Sequence, residues 1–160
     1  MLDKMNIKCR LHIVPFLIPY ATMINSRTFN DMDMNRNAHQ EGITKKIVDY
    51  AQNNSVTALC DCHSTDPDNK PGFNSVFCSA RPLFDSIKIA KHMCINTSSR
   101  ILPISDAGSV LCGAVEDESN LRGIPSVTSE TVEKMGHITQ ESVDFSYSQI
   151  MSFLDYFGVI

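Results

Sequence analysis

The sequence predicts an α/β domain in which a central sheet, mostly parallel or mixed, is flanked by helices. Three observations carry that expectation. Apolar runs of strand length recur at residues 10–18, 56–61, Ser75–Ser79 and 123–130. Between them lie segments whose apolar residues repeat at helical spacing, and strands alternating with helices favour parallel pairing. No repeat, low-complexity tract or linker divides the 160 residues, so positions 1–160 are read as one domain.

The elements follow in order. RLHIVPFLI (residues 10–18) reads as a buried strand, and the loop FNDMDMNRNAHQ (residues 29–40) comes next. QEGITKKIVDYAQN places Ile43, Ile47 and Ala51 on one helical face, with Val48 beside them. VTALCD (residues 56–61) is a second strand, ending at Cys62-His63-Ser64. Pro71 and Gly72 mark a loop before the short strand SVFCS. RPLFDSIKIAKHMC predicts a helix, with Pro82 early and Leu83, Ile87, Ala90 and Cys94 on a face. RILPI is another strand, and the small-residue segment at 108–114 is left unassigned. GIPSVTSE is strand-like. The closing ESVDFSYSQIMSFLDYFG aligns Val143, Tyr147, Ile150, Leu154 and Phe157, with Gly158 as its C-cap.

Composition narrows the function classes. Hydrophobic content of 42% and charged content of 20% describe a globular chain with a core of its own. A net charge of −4, with no basic cluster larger than Lys45-Lys46, gives no footprint for nucleic acid. No apolar run approaches the roughly 18 residues of a membrane span. The start imitates a signal peptide, but Asp3, Pro15 and Pro19 interrupt the pattern. Most of the six cysteines (Cys9, Cys60, Cys62, Cys78, Cys94, Cys112) fall inside apolar patterns, which favours a reduced, cytoplasmic protein over a disulfide framework.

Polar chemistry gathers at three predicted strand ends, where open α/β sheets bind ligands. Strand alternation sets Asp61 and His63 on one face and Cys60 and Cys62 on the other. His63 is then either a satisfied rim residue or a metal ligand oriented by a carboxylate. Glu130 shares a face with Ser126 and Thr128; it is either a solvated loop acid or a partly buried general base. Arg36 offers a planar fork for a carboxylate, helped by the Asn35 amide, or it pairs with Asp31 or Asp33. Cys60, Cys62 and His63 could also hold a metal, and Cys62 could act as a nucleophile beside His63, but alternation turns both sulfurs away from the imidazole.

These groups, in this order, resemble the zinc carboxypeptidase superfamily, and most closely its succinylglutamate desuccinylase/aspartoacylase branch. Asp33-Met34-Asn35-Arg36 is similar to the family's Asp-Leu-Asn-Arg element. Asp61-Cys62-His63-Ser64 resembles its Asp-x-His-Ser strand end, and Gly123-Ile124-Pro125 through Glu130 resembles its GIP…E strand. Arg27 lies at about the distance of the family's oxyanion arginine, offset by a residue, and FLDYFGVI resembles the branch's terminal helix and exit. The resemblance implies a zinc-dependent hydrolase of amide bonds, an N-acyl amino acid deacylase or a carboxypeptidase. It implies His63 as a Zn²⁺ ligand, Glu130 as catalytic base, Arg27 at the oxyanion, and Asn35 and Arg36 as binders of a carboxylate on a small-molecule or peptide substrate.

One departure stands out. The family's first two zinc ligands come from a Gly-x-His-x-x-Glu element, and no His-x-x-Glu occurs here: Pro15, Gly42, Asp66, Ile95 and Gln140 stand three residues after the five histidines. The chain is therefore expected to correspond to the C-terminal two-thirds of that fold, without its first strand–helix unit. An exposed sheet edge would then be covered by a homo-oligomer or by a missing N-terminal segment. The competing expectation is a non-catalytic carboxylate-binding or interaction module derived from the same fold.

Overall fold

The computed structural model describes residues 9–134 and 137–160. Asp3 and the other residues before Cys9, part of the signal-like start, lie outside that range. The chain is α/β, built on a mixed four-stranded sheet. Its strands are β3 (Leu59–Thr65), β4 (Ser75–Ser79), β5 (Arg100–Ile104) and β6 (Ser126–Val132), in the order β3-β6-β4-β5. The pairs β3–β6 and β4–β5 are parallel, and β4 runs antiparallel to β6. A two-residue ribbon, β1 (Thr28–Phe29) with β2 (Met32–Asp33), stands apart from the sheet.

Helices cover both faces. On one side α3 (Asp85–Thr97) and α5 (Gln140–Tyr156) pack on the sheet, joining Val76, Cys78 and Val127 to Ile87, Ala90 and Met93, with Phe153 and Tyr156 alongside. On the other side α2 (Ile43–Asn53) and α4 (Val115–Leu121) bring Val48 and Val115 together with Ala38, against Leu59. The two faces differ in chemistry. The α4 side carries buried Ser79 and Ser126, which meet the buried Glu116, Asp117 and Asn120. Such a face needs its polar groups paired, whereas the α3/α5 side adds an apolar cluster to the hydrogen bonds of one buried amide, Gln149.

Three expectations change. Residues 10–18 form no strand; Ile13, Val14 and Phe16 are largely exposed, and the short helix α1 (Pro19–Met23) follows. Pro15 has no N–H to offer a neighbouring strand, which disfavours sheet pairing there. The second strand begins three residues later than expected and runs on through Thr65, so His63 sits inside the ladder. In α5 the stripe Val143, Tyr147, Ile150 and Phe157 is largely exposed, while Ser142, Gln149, Ser152 and Leu154 are buried. Gln149 is held inside by Thr131 Oγ1, Ser99 Oγ and the Ser75 carbonyl, so amide hydrogen bonding sets the helix's rotation.

Gly158 ends α5 as expected. Its φ of +62° lets its N–H reach the Asp155 carbonyl, and Val159 N–H reaches Leu154. That is a Schellman closure with Leu154 and Val159 both buried. At the other end Thr139 and Ser142 exchange hydrogen bonds in a capping box.

Candidate active site

The parallel register of β3 and β6 makes His63 and Glu130 Cα partners. Residues at matching positions of paired strands point to one side, so both side chains face α2 and α4. Asp61, two residues earlier, joins them: His63 Nε2 lies 2.9 Å from Asp61 Oδ2. Cys60 and Cys62 point the other way, with their sulfurs 3.9 Å apart. The alternation expected at Asp61–His63 is therefore observed.

The loop after β1 closes over this face. Asp33 caps the short 3-10 turn Met34–Arg36 by accepting the Asn35 N–H on Oδ1. Its other oxygen, Oδ2, takes Arg27 Nε at 3.0 Å and Nη2 at 2.7 Å. Asp33 thus braces Arg27, whose side chain remains 68% exposed and directed at the cleft. A cleft of about 280 Å³ lies between loop and sheet, lined by Arg27, Asp33, Asn35, Thr44, Asp61 and His63 among others.

Asn35 has two structural engagements. Its Oδ1 accepts the Val115 N–H at the start of α4 (2.9 Å), and its Nδ2 approaches His63 Nε2 at 3.1 Å. With the amide orientation fixed by Val115, Nε2 can serve one neighbour properly: protonated it donates to Asp61, bare it accepts from Asn35. Arg36 turns back on its own loop, Nη1 donating to the Asn35 carbonyl at 2.6 Å, and is not among the residues lining the cleft. Glu130 stands beside His63, half-buried, with Oε2 buried and unpartnered among the described residues.

The charges follow from these positions. Burial alone would lower the His63 pKa, but the Asp61 carboxylate, its hydrogen bond and the charge of Glu130 carry it up to about 9. Burial raises Glu130 above the ordinary carboxylate range, Asp61 adds to the rise, and His63 and Arg27 oppose it. Across the sheet, the Cys62 thiol is lowered to about 7, chiefly by its hydrogen bond with Cys60.

The zinc implied by the resemblance finds an incomplete donor set here. Among the described residues His63 is the one imidazole lining the cleft, its Nε2 is engaged by Asp61, and no group of three close ligand atoms forms around it. Such a group does form elsewhere: ligand atoms of His39, Cys112 and Glu118 lie within 4.8 Å of one another. The sequence reading missed this trio, because its members come from the far end of the Asn35 loop, from the unassigned segment 108–114 and from α4. The three acids Glu116, Asp117 and Glu118 in the first turn of α4 were the available signal for a helix start.

Compared with known proteins, the chain matches no family model, no curated protein and no solved structure. No helix among the described residues is long and apolar enough to cross a membrane.

Proposed function

We propose that the cleft is the substrate-binding and proton-transfer part of an amide hydrolase on a zinc-carboxypeptidase-like fold, acting on N-acyl amino acids or C-terminal peptides. The observation that carries this reading is the pairing of His63 with Glu130 beside the cleft that Arg27 and Asn35 line. Three segments remote in sequence supply an acid–base pair and a cation to one place.

In this reading Glu130, its pKa raised by burial, takes a proton from a water in the cleft and returns it to the leaving amine. Arg27, held by two hydrogen bonds to Asp33, neutralises charge developing on the scissile carbonyl oxygen. Asn35 keeps the loop seated on α4, and Asp61 orders the His63 ring by accepting its Nε2–H. The described residues supply one of the three protein ligands that a catalytic zinc takes, so no step is assigned to the metal.

A second reading is a carboxylate-binding module without turnover. It is favoured by the commitment of Asn35 Oδ1 to Val115 and of Arg36 to its own loop, which among the described residues leaves Arg27 as the cation lining the cleft. The test for both is hydrolysis of a panel of N-acyl amino acids with and without added zinc, paired with calorimetric binding of the same compounds. Turnover that falls by about 10²–10⁴-fold in Glu130→Gln supports the hydrolase. Binding without turnover, lost in Arg27→Ala, supports the module, and neither binding nor turnover rejects both.

A further inference from the structure

We propose that His39, Cys112 and Glu118 form a binding site for a thiophilic divalent cation, with zinc as the best match. Their ligand atoms converge from two separate segments to within 4.8 Å of one another. Around a tetrahedral zinc, with bonds of about 2.0–2.3 Å, such atoms stand roughly 3.5 Å apart. Closing onto an ion therefore needs side-chain movements of about an ångström.

Glu118 gives a second reason. Its residue is 8% exposed, and its carboxylate makes no hydrogen bond or ion pair among the described residues. Its oxygens are not sealed from solvent, so a cation can reach them without displacing a protein partner. The donor set of one thiolate, one imidazole and one carboxylate is the borderline mixture that suits zinc. His39 and Cys112 are exposed, which leaves a side open to solvent for a fourth, water ligand. A Cys–His–Glu catalytic relay fits less well, since its outer members lie on opposite sides of the imidazole, whereas here the sulfur and carboxylate atoms also approach each other.

The scaffold around the trio is fixed. Ala38 N–H donates to the Gly113 carbonyl at 2.8 Å, joining the His39 segment to the Cys112 segment. A Cβ at Gly113 would come within 2.4 Å of His39 Nδ1, so only glycine lets the ring lie against that backbone. Gln40 Nε2 lies 3.0 Å from His39 Nε2, and turning that amide end for end presents its oxygen to the Nε2–H of a ring bound through Nδ1. Metal binding would release the Cys112 thiol proton as the S–metal bond forms.

The experiment is titration of the chelator-treated full chain with Co²⁺, followed by displacement with Zn²⁺. One equivalent should bind and give a thiolate-to-cobalt charge-transfer band, which Zn²⁺ abolishes. Cys112→Ser should lose the band, and Glu118→Gln should keep it while weakening zinc affinity about ten-fold or more. The band should persist in His63→Gln and in the double variant Cys60→Ser/Cys62→Ser, which separates this site from the cleft and from the other thiol pair. Absence of the band from the parent protein, its persistence in Cys112→Ser, or its loss in the double variant would overturn the assignment.

Discussion

His63 on β3 and Glu130 on β6 occupy the same rung of a parallel strand pair, so an imidazole and a carboxylate are set side by side by sheet register. Neither the loop above them nor any helix is needed to bring them together. What the surrounding elements add is burial, the Asp61 charge and the Arg27 cation.

The Asp61–His63 contact makes stability depend on pH at the alkaline end. The folded-state pKa of about 9 lies above the ordinary 6.5, so the contribution is complete below pH 6.5 and is lost as pH rises through 9. Its ceiling is roughly 3 kcal/mol. Denaturant midpoints measured at pH 6 and pH 9.5 should therefore fall with rising pH in the parent and much less in Asp61→Asn. Equal pH dependence in the two proteins would show that Asp61 does not hold the imidazolium.

Glu116 works in the same direction over a lower window. Burial is the main cause of its rise to about 7, opposed by Ser79, and its Oε2 has no hydrogen-bond partner among the described residues. Its stabilising, protonated form is present below pH 4.5 and is lost as pH climbs through 7. Glu116→Gln keeps an oxygen for the Ser79 N–H and removes the buried charge. The variant should gain about 1–3 kcal/mol over the parent at pH 8 and little at pH 5, read from urea unfolding at both values.

Gly113 is the tightest backbone position in the cleft's support. Its φ is +79°, and an added Cβ would meet the Arg36 carbonyl oxygen at 2.2 Å. Gly113→Ala should cost about 2 kcal/mol or more in stability and disturb the His39 ring, seen by chemical denaturation and by the His39 NMR signals. A variant as stable as the parent, with its His39 signals unmoved, would contradict the close approach.

Much of this was legible in the residues. The mixed α/β arrangement, the Ser75–Ser79 and Arg100–Ile104 strands and the Gly158 cap follow from periodicity and backbone chemistry. The separation of Asp61 and His63 from Cys60 and Cys62 needed nothing beyond strand alternation. The rest depended on tertiary partners. Residues 10–18 looked like a strand because they are apolar, but hydrophobicity supplies no hydrogen-bonding neighbour. The rotation of α5 is set by Gln149, whose partners Thr131, Ser75 and Ser99 lie up to 74 positions away. Glu116 and Asp117 drew no reading from the sequence, and their burial follows from contacts with Ser79, Gly108 and Ser126 that one-dimensional spacing cannot display.

The most direct measurement is a ¹³C NMR titration of the Glu130 side-chain carboxyl in the parent and in His63→Gln. If imidazolium and carboxylate stand side by side on the paired strands, Glu130 titrates above the ordinary glutamate value, and higher still once the neighbouring cation is removed. A Glu130 that titrates near about 4.3 and ignores the change at position 63 would contradict the site at its root.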